Sequence, residues 1–329
     1  MNINHCVSRA ALAAFGAAAV LSVTGCSEKE FENHYTFPED GLLTLITNEE
    51  EIRPDGFAAD LCVPSSDGDL DADGVNAHAF GLFSVDGKEV ISQHNVYERV
   101  YPASTTKILT CLIALERGDL DSMVTIPEES KITVSGSSMA DLKPGDKLPL
   151  RDLLYGLMVP SGNDAAVAIA HHISGDVEGF SAVMNQRAAE LGATNSHFVN
   201  PHGLPDEDHY VTVYDMYLIF NEAMKNKTFR EIAGTAEYSC KVTNKDDREQ
   251  PEREVTWTSG NGFLNGKFTF ADNMHVICGK TGHTNAAGFC LVLGSEADSD
   301  GKQYISVVMN SPIYEYLYAG HKTLASKSQ

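Results

Sequence analysis

The pattern of apolar residues predicts one central buried helix. From Ile108 to Leu115 nearly every position is apolar, so no side of the segment is polar enough to face water. A helix that is apolar on all sides lies inside a domain rather than on its surface. Pro102 and the hydroxyl residues that follow it are typical of a helix start. We therefore expect Ser104 to lie in the first turn of this helix.

Helical periodicity continues in the middle of the chain. Four segments there predict helices separated by short turns: Leu150 to Val159, Asn163 to His172, Val177 to Leu191 and Thr212 to Asn226. We expect them to form an all-helical subdomain at about residues 116–235 that interrupts a sheet. A last helix is predicted after Pro312.

Runs rich in β-branched and aromatic residues lie on both sides of the helical block. The first two, Ala77 to Val85 and Glu89 to Gln93, flank Asp86-Gly87 and predict a hairpin. Four later runs predict strands: Val255 to Thr258, Met274 to Gly279, Gly288 to Leu293 and Tyr304 to Met309. This order predicts an α/β fold of the α+β type, an antiparallel β-sheet flanked by helices with an inserted all-helical subdomain.

The first 25 residues predict a secretory signal peptide. Arg9 precedes an apolar stretch from Ala10 to Val23, which is too short to span a bilayer. The stretch ends in Val23-Thr24-Gly25-Cys26, which resembles a bacterial lipoprotein cleavage site. The resemblance implies that Cys26 carries a diacylglycerol and anchors the mature chain to a membrane, on the extracytoplasmic face of the cell envelope. The alternative is ordinary cleavage with Cys26 merely nearby.

Residues 26–75 are acidic and interrupted by Pro and Gly. This composition predicts a lipid-anchored tether and an irregular N-terminal segment, followed by the main domain at residues 76–329. Within the segment, Asp69 to Gly74 copies the first half of a calcium-binding EF-hand loop. The later ligand positions hold Ala77 and Phe80 instead of oxygen ligands. Calcium binding and a solvated acidic turn therefore both stay open.

Charge and cysteine content narrow the classes of partner. The 329 residues contain 24 Lys and Arg against 46 Asp and Glu, which gives a net charge of -22. Nucleic acid is repelled by so acidic a chain, and we expect no nucleic-acid partner. None of the seven cysteines has C-x-x-C spacing, and five of them lie beyond Cys26. The pattern predicts free thiols rather than a zinc site or a disulfide framework.

Ser104 and Lys107 form the first candidate catalytic pair. Residues three apart share one helix face, so the amine of Lys107 can reach the Ser104 hydroxyl. Burial lowers the pKa of a lysine, and a neutral amine is a base that can activate a serine nucleophile. The alternative is that Ser104 caps the helix and Lys107 extends to water. A second Ser-x-x-Lys, at residues 299–302, lies in a polar turn between two predicted strands and is the poorer candidate.

Two further motifs follow in the chain. Ser161-Gly162-Asn163 separates two predicted helices and would project a hydroxyl and an amide from a tight turn, although such a turn can also be a simple helix cap. Lys280-Thr281-Gly282 follows a strand, where the lysine can pair with a substrate carboxylate and favour a neutral Lys107. Gly282 allows close approach of the backbone. Another Ser-Gly-Asn occurs at residues 259–261.

All three motifs occur in the order found in penicillin-binding proteins and class A β-lactamases, with Gly162 where that signature has Asp. From about Ala77 to Met309 the chain resembles the serine D-alanyl-D-alanine carboxypeptidases, the low-molecular-mass penicillin-binding proteins with a β-lactamase-like fold. The matching segments are Pro102 to Ile108, Ser138-Met139, Ser161 to Ala166, Phe198 to Leu204, and Gly279 to Thr284 with Ala287-Gly288. The resemblance also identifies Ser259-Gly260-Asn261 as a variant of the family's Asn-rich segment rather than a second active site.

This resemblance implies a role for each motif residue. The catalytic residues it implies are Ser104 as nucleophile, Lys107 as its base, and Ser161 as proton relay toward the leaving amine. The substrate-binding residues it implies are Asn163, which orients the substrate, Lys280 and Thr281, which bind its terminal carboxylate, and Gly282 and His283 beside them. The backbone N–H groups of Ser104 and His283 would form the oxyanion hole.

The implied activity removes the terminal D-alanine from peptidoglycan stem peptides through an acyl-serine, with β-lactam antibiotics as covalent inhibitors and no cofactor. We also expect no metal, because the scattered histidines lack a ligand pattern: His171, His172, His197, His202 and His209. Two alternatives stay open, a β-lactamase and a non-catalytic lipoprotein that binds wall peptides. The segment Glu190 to Asn195 resembles the carboxypeptidases rather than the β-lactamases. The chain ends soon after Gly282, so we expect no second domain there.

Overall fold

The computed structural model describes residues 58–65 and 68–328. Its strands are β1 (Ala79–Ser84), β2 (Glu89–His94), β3 (Met123–Thr125), β4 (Lys147–Pro149), β5 (Glu237–Thr243), β6 (Glu252–Thr258), β7 (Met274–Thr284), β8 (Gly288–Ala297) and β9 (Gln303–Ser311). Its α-helices are α1 (Lys107–Arg117), α2 (Leu150–Met158), α3 (Asn163–Ser174), α4 (Val177–Glu190), α5 (Val213–Lys225), α6 (Lys227–Ala233) and α7 (Tyr314–Lys327). Short 3₁₀ turns cover Ala103–Thr106 and Glu128–Ser130.

Five strands form the main antiparallel sheet, in the order β2-β1-β9-β8-β7. Early and late parts of the chain meet in it, because β1 pairs with β9 from Ala79↔Met309 onward. The strand β7 pairs with β8 on one side only and is therefore an edge strand. The predicted α+β fold, an antiparallel sheet flanked by helices with a helical insertion, is confirmed.

The main sheet is covered by helices on both faces, since alternate residues of a strand point to opposite sides. Phe80 and Leu82 of β1 belong to the cluster that contains Leu317 of α7. Phe83 belongs to the other cluster, where its ring stacks on Tyr217 of α5 with 4.2 Å between the centroids. Each face thus has its own hydrophobic core.

The helices α2 to α6 pack around α1, which is buried from Lys107 to Ala114 as its apolar pattern predicts. Local capping explains where several of them begin. The side chains of Asp176, Thr212 and Asn226 accept hydrogen bonds from backbone N–H groups in the first turns of α4, α5 and α6. Gly175, at φ 89°, ends α3 in the left-handed conformation that glycine adopts at little cost.

A second antiparallel sheet, with the order β3-β4-β5-β6, was not predicted. The predicted strand at Val255 to Thr258 belongs to this sheet, as β6, and pairs with β5 from Glu237↔Thr258 to Thr243↔Glu252. The strands β3 and β4 have three residues each, too few to show a period of two. The exposed positions of β5 and β6 hold polar residues, so few apolar residues mark these two strands in the sequence.

The segment before β1 packs against the domain. Cys62 is fully buried, its backbone N–H donates to the hydroxyl of Tyr217 at 2.9 Å, and its thiol donates to the Ser84 carbonyl at 3.2 Å. Leu70 pairs with Gln93 at the outer edge of β2. The domain boundary expected at residue 76 stays a prediction.

The half EF-hand stretch holds its carboxylates apart. Asp69 pairs with His94 at 2.7 Å, and Asp71 pairs with Lys327 at 2.6 Å. Within residues 58–65 and 68–328, no group of three or more His, Cys, Asp or Glu is placed to hold a metal ion. No helix in the same ranges is long and apolar enough to cross a bilayer. The predicted signal peptide and Cys26 lie outside the described residues.

Candidate active site

Ser104 lies in a tight 3₁₀ turn, Ala103–Thr106, immediately before α1, rather than in the first turn of the α-helix. The turn requires Ala103 to adopt φ 48°, which costs energy for a residue with a Cβ. Two hydroxyls hold it in place: Thr105 donates to the Pro102 carbonyl at 2.7 Å, and Thr106 donates to the Ala103 carbonyl at 2.8 Å. Ser104 is thereby fixed at the mouth of a cleft while its neighbours are buried.

The amine of Lys107 contacts three oxygen atoms and is completely buried. Its Nζ lies 2.6 Å from Oδ1 of Asn163, 2.9 Å from the carbonyl oxygen of His202 and 2.9 Å from Oγ of Ser104. The first two oxygens can only accept, so they use both N–H groups of a neutral amine. The lone pair then remains for the Ser104 hydroxyl, which can donate its proton to Nζ.

Burial is the main reason why the pKa of Lys107 lies well below its ordinary value of 10.5. The nearby charge of Lys280 lowers this pKa further, and the carboxylate of Asp164 opposes both effects. A lysine in these surroundings loses its proton far more readily than one in water. The site therefore favours the neutral amine that a base requires.

Ser161 and Lys280 form the second buried pair. The Nζ of Lys280 donates to Oγ of Ser161 at 2.9 Å and to the carbonyl of Thr281 at 2.8 Å. Burial lowers the pKa of Lys280 to about 7. Ser161 has φ 66°, another strained backbone position, so the turn that aims its hydroxyl is maintained by its surroundings.

Asp164 supplies part of that support. Its carboxylate is fully buried and accepts hydrogen bonds from the backbone N–H groups of Ala140 and Leu142, at 2.8 and 3.0 Å. The backbone N–H of Asn163 donates to the carbonyl of Ser138 at 2.9 Å. These bonds attach the loop that carries Ser138-Met139 to the start of α3, so that Asn163 and the loop face the cleft together.

Two glycines allow the walls of the cleft to meet the nucleophile turn. A Cβ on Gly282 would lie 2.9 Å from the backbone nitrogen of Ser104. A Cβ on Gly203, which has φ 89°, would lie 1.8 Å from the carbonyl oxygen of Ala103. Any side chain at either position would force the turn away from β7 or from the 198–204 loop.

The cleft opens on both sides of Ser104. One part, about 440 Å³, is lined by Ser104, Asn163, His283 and the segments 134–138, 203–205 and 284–286. The other part, about 230 Å³, is lined by Ser104, Ser161, Thr281, Gly282, His283 and neighbouring residues. Lys107 and Lys280 lie beneath these surfaces. The exposed ring of His283 stacks on Phe289, with 4.1 Å between the ring centroids.

The duplicate motifs have different surroundings. Lys302 is exposed and pairs with Asp300 at 2.9 Å on the turn before β9. Gly260 lines the cleft, and a Cβ on it would lie 3.6 Å from Oγ1 of Thr281. Asn261 is buried behind Gly279. The 259–261 segment thus supports the strand that carries the third motif.

Two histidines contribute to the site in ways that were not predicted from the sequence. His202 and His209 are among the histidines that lack a metal-ligand pattern, and His202 also lies in the family-like segment Phe198 to Leu204, but neither was given a role. The carbonyl of His202 binds Lys107, and the ring of His209 contacts Thr106 at 2.9 Å. Burial lowers the pKa of His202 to about 3 and that of His209 to about 4, so both rings are neutral. Nothing in the spacing of these residues indicates that they lie under the nucleophile.

Comparisons with known proteins agree with this geometry. Residues 69–312 match the family model for D-alanyl-D-alanine carboxypeptidase. The chain is 33% identical to D-alanyl-D-alanine carboxypeptidase DacF of Bacillus subtilis, over 70% of this chain and 56% of that protein. It is 32% identical to DacC of Escherichia coli, over 79% of this chain and 61% of that protein.

A solved structure, the Streptomyces K15 DD-transpeptidase, superposes with a TM-score of 0.68 at 30% identity and covers 78% of this chain and 97% of that one. The chain spans 56% and 61% of the length of the two curated relatives above. The family match covers most of the described residues and includes all three motifs. The chain belongs to the D-alanyl-D-alanine carboxypeptidase family.

Proposed function

We propose that this protein is a serine D-alanyl-D-alanine carboxypeptidase that removes the terminal D-alanine from peptidoglycan stem peptides. One observation carries the proposal: the buried amine of Lys107 has two acceptor-only partners and lies 2.9 Å from Oγ of Ser104, so the neutral amine has its lone pair left for the serine hydroxyl. This is the arrangement of a nucleophile with its base. Membership of the family supports the choice of reaction and of substrate.

In the first half of the reaction, Ser104 attacks the carbonyl carbon of the peptide bond between the two D-alanines. The proton of its hydroxyl passes to Nζ of Lys107, 2.9 Å away. Negative charge develops on the carbonyl oxygen, and the backbone N–H groups of Ser104 and His283 stabilise it. Gly282, the residue before His283, approaches the Ser104 nitrogen closely: a Cβ on it would lie 2.9 Å away.

The leaving D-alanine needs a proton on its amine. Ser161 lies beside Lys280 and relays toward that amine the proton that Lys107 took from Ser104, which leaves Lys107 neutral again, while Asn163 orients the peptide through its amide. The terminal carboxylate binds next to Thr281 on the smaller side of the cleft, with the buried Lys280 beneath it. Water then hydrolyses the acyl-enzyme and restores the Ser104 hydroxyl.

A β-lactam acylates the same serine, because its strained amide resembles the scissile bond and its carboxylate resembles that of the terminal D-alanine. The lifetime of the adduct distinguishes the candidate functions. A carboxypeptidase keeps the acyl group for a long time, a β-lactamase releases it rapidly, and a binding protein forms no adduct.

For the N-terminus we propose that Cys26 carries a lipid that holds the domain on the extracytoplasmic side of a membrane. The support is the sequence Val23-Thr24-Gly25-Cys26 after an apolar stretch. In a bacterial host, Cys26→Ser should release the protein from the membrane fraction and abolish incorporation of radiolabelled fatty acid. Persistent labelling of that variant would contradict the assignment.

Replacing Ser104 with Ala should abolish labelling by a fluorescent β-lactam and release of D-alanine, while the fold survives. The turn loses one hydroxyl and its hydrogen bond to Lys107, worth about 1 kcal/mol. Lys107→Ala should slow acylation by roughly a hundredfold or more, the effect of a lost general base. The matched control is Lys302→Ala, in the other Ser-x-x-Lys, which should acylate like the wild type. Full labelling of the Ser104 variant would refute the assignment of the nucleophile.

Replacing Lys280 with Gln should reduce the preference for a free-acid peptide over the same peptide amidated at its C-terminus. Only the acid offers a charge to pair, and a charge-assisted contact is worth about 1.5 to 3 kcal/mol. The ratio of the two kcat/KM values should therefore fall by roughly ten- to a hundredfold.

The same variant tests the electrostatic effect of Lys280 on Lys107. Two neighbouring cations lower each other's pKa, so loss of Lys280 raises the pKa of Lys107. The rising limb of the acylation rate should then move to higher pH. If the variant keeps the wild-type ratio of the two kcat/KM values, the carboxylate-binding role is contradicted, whether or not the pH profile of acylation shifts.

A further inference from the structure

A chain of hydrogen bonds runs beneath the nucleophile turn and ends on one peptide unit. The backbone N–H of Val199 lies 3.1 Å from Nδ1 of His209, and Nε2 of His209 lies 2.9 Å from Oγ1 of Thr106. Oγ1 of Thr106 donates to the carbonyl oxygen of Ala103 at 2.8 Å. Thr106 and His209 are almost completely buried, so water does not compete for these bonds.

The donor and acceptor in each of these hydrogen bonds follow from the first bond, from Val199 to His209. A backbone N–H can only donate, so Nδ1 of His209 must accept and the proton of the neutral ring is on Nε2. Nε2–H therefore donates to Oγ1 of Thr106. The Thr106 hydroxyl has one proton, which the geometry leaves for the carbonyl oxygen of Ala103.

The last acceptor, the carbonyl oxygen of Ala103, matters because its peptide unit also contains an N–H group of the active site. The carbonyl of Ala103 and the N–H of Ser104 belong to one planar unit, so a bond that fixes the carbonyl also fixes the direction of that N–H. Hydrogen bonds in a chain polarise one another, and a peptide that accepts at its oxygen becomes a better donor at its nitrogen. The Ser104 N–H is one of the two proposed oxyanion donors.

We propose that Thr106 and His209 are positioning residues that orient and polarise the oxyanion-binding N–H of Ser104. The inference rests on the proposed function, since it concerns the acyl transfer at Ser104. Thr106 lies in the Ser-x-x-Lys segment, and His209 follows it by 103 residues in the chain. The inference gives both side chains a role, although neither touches the substrate.

The strain in the turn explains why such support is needed. Ala103 is held at φ 48°, and a relaxed Ala103 would rotate the peptide that carries the Ser104 N–H. Gly203 leaves room for the Ala103 carbonyl but has no side chain that could bind it. The Thr106 hydroxyl supplies that hydrogen bond, and His209 in turn determines which way the hydroxyl points.

The test compares Thr106→Val, Thr106→Ser and a control, Thr110→Val. Thr110 is also a buried threonine of the nucleophile helix, and its hydroxyl donates to the Pro201 carbonyl at 2.7 Å, not to the nucleophile turn. Val replaces Thr with nearly the same shape, so each variant loses only the hydrogen bonds of its hydroxyl, two at residue 106 and one at residue 110. Serine restores the hydroxyl of residue 106 and should restore its function.

Two quantities are measured with a β-lactam labelled with ¹³C at its reactive carbonyl. The first is the acylation rate constant, separated from the dissociation constant of the non-covalent complex. The second is the infrared stretching frequency of the acyl-enzyme carbonyl, which falls as the hydrogen bonds to its oxygen become stronger. Melting temperatures report any general loss of stability.

Thr106→Val should lower the acylation rate constant by roughly tenfold, since weakening an oxyanion donor costs less than removing one. Its acyl carbonyl should absorb at a higher frequency, and the dissociation constant should change little. Thr106→Ser should return both readouts to the wild-type values. Thr110→Val should also lose stability, through its one buried hydrogen bond, and keep the wild-type frequency.

His209→Phe adds a second, independent test. The phenyl ring keeps the packing against Phe198 but donates no hydrogen bond to Thr106. Its frequency shift should have the same sign as that of Thr106→Val and be smaller, and the double variant should equal Thr106→Val alone because both act through one bond. If His209→Phe fails to fold, the Thr106 series still decides the question.

An unchanged carbonyl frequency in a folded, acylated Thr106→Val enzyme would overturn the inference. So would an equal shift in Thr110→Val, which would indicate a general effect of destabilisation. If the wild type itself forms no acyl-enzyme, the proposed function fails instead, and the two failures are therefore distinguishable.

Discussion

The site depends on one buried, uncharged amine. The Nζ of Lys107 is surrounded by three oxygens and has no access to water, so burial and the nearby Lys280 both oppose its protonation. A charged amine in the same place would donate to Ser104 and could not accept its proton. The Asn163 amide and the His202 carbonyl hold this amine in place, and the strained turn before α1 aims the serine at the cleft.

The fold provides these conditions by bringing three distant parts of the chain to the start of one helix. The helix α1 is buried because its residues are apolar on nearly all sides, and this burial desolvates Lys107 in its first turn. The edge strand β7 brings Gly282 against the nucleophile turn, and α3 presents Asn163 from the helical block. Two strained residues, Ala103 and Ser161, are the local cost of this convergence.

Much of this was predictable from the sequence, where a local pattern carries the information. The apolar run after Lys107 predicts the buried helix, and the three motifs identify side chains that do meet at one cleft. The sheet β3-β4-β5-β6 has no comparable signal, because two of its strands have three residues each. The contact between Thr106 and His209 spans 103 residues, and only the folded chain brings them together.

The most direct test is to titrate Lys107 itself, in protein labelled with ¹³C at the lysine Cε, with the resonance assigned by comparison with Lys107→Arg. We predict that it loses its proton at a pH well below 10.5, and that the acylation rate rises with the same apparent pKa. The Lys302 resonance is an internal reference, because its pKa is raised instead. A Lys107 that remains protonated across the pH range in which acylation is fast would contradict the account.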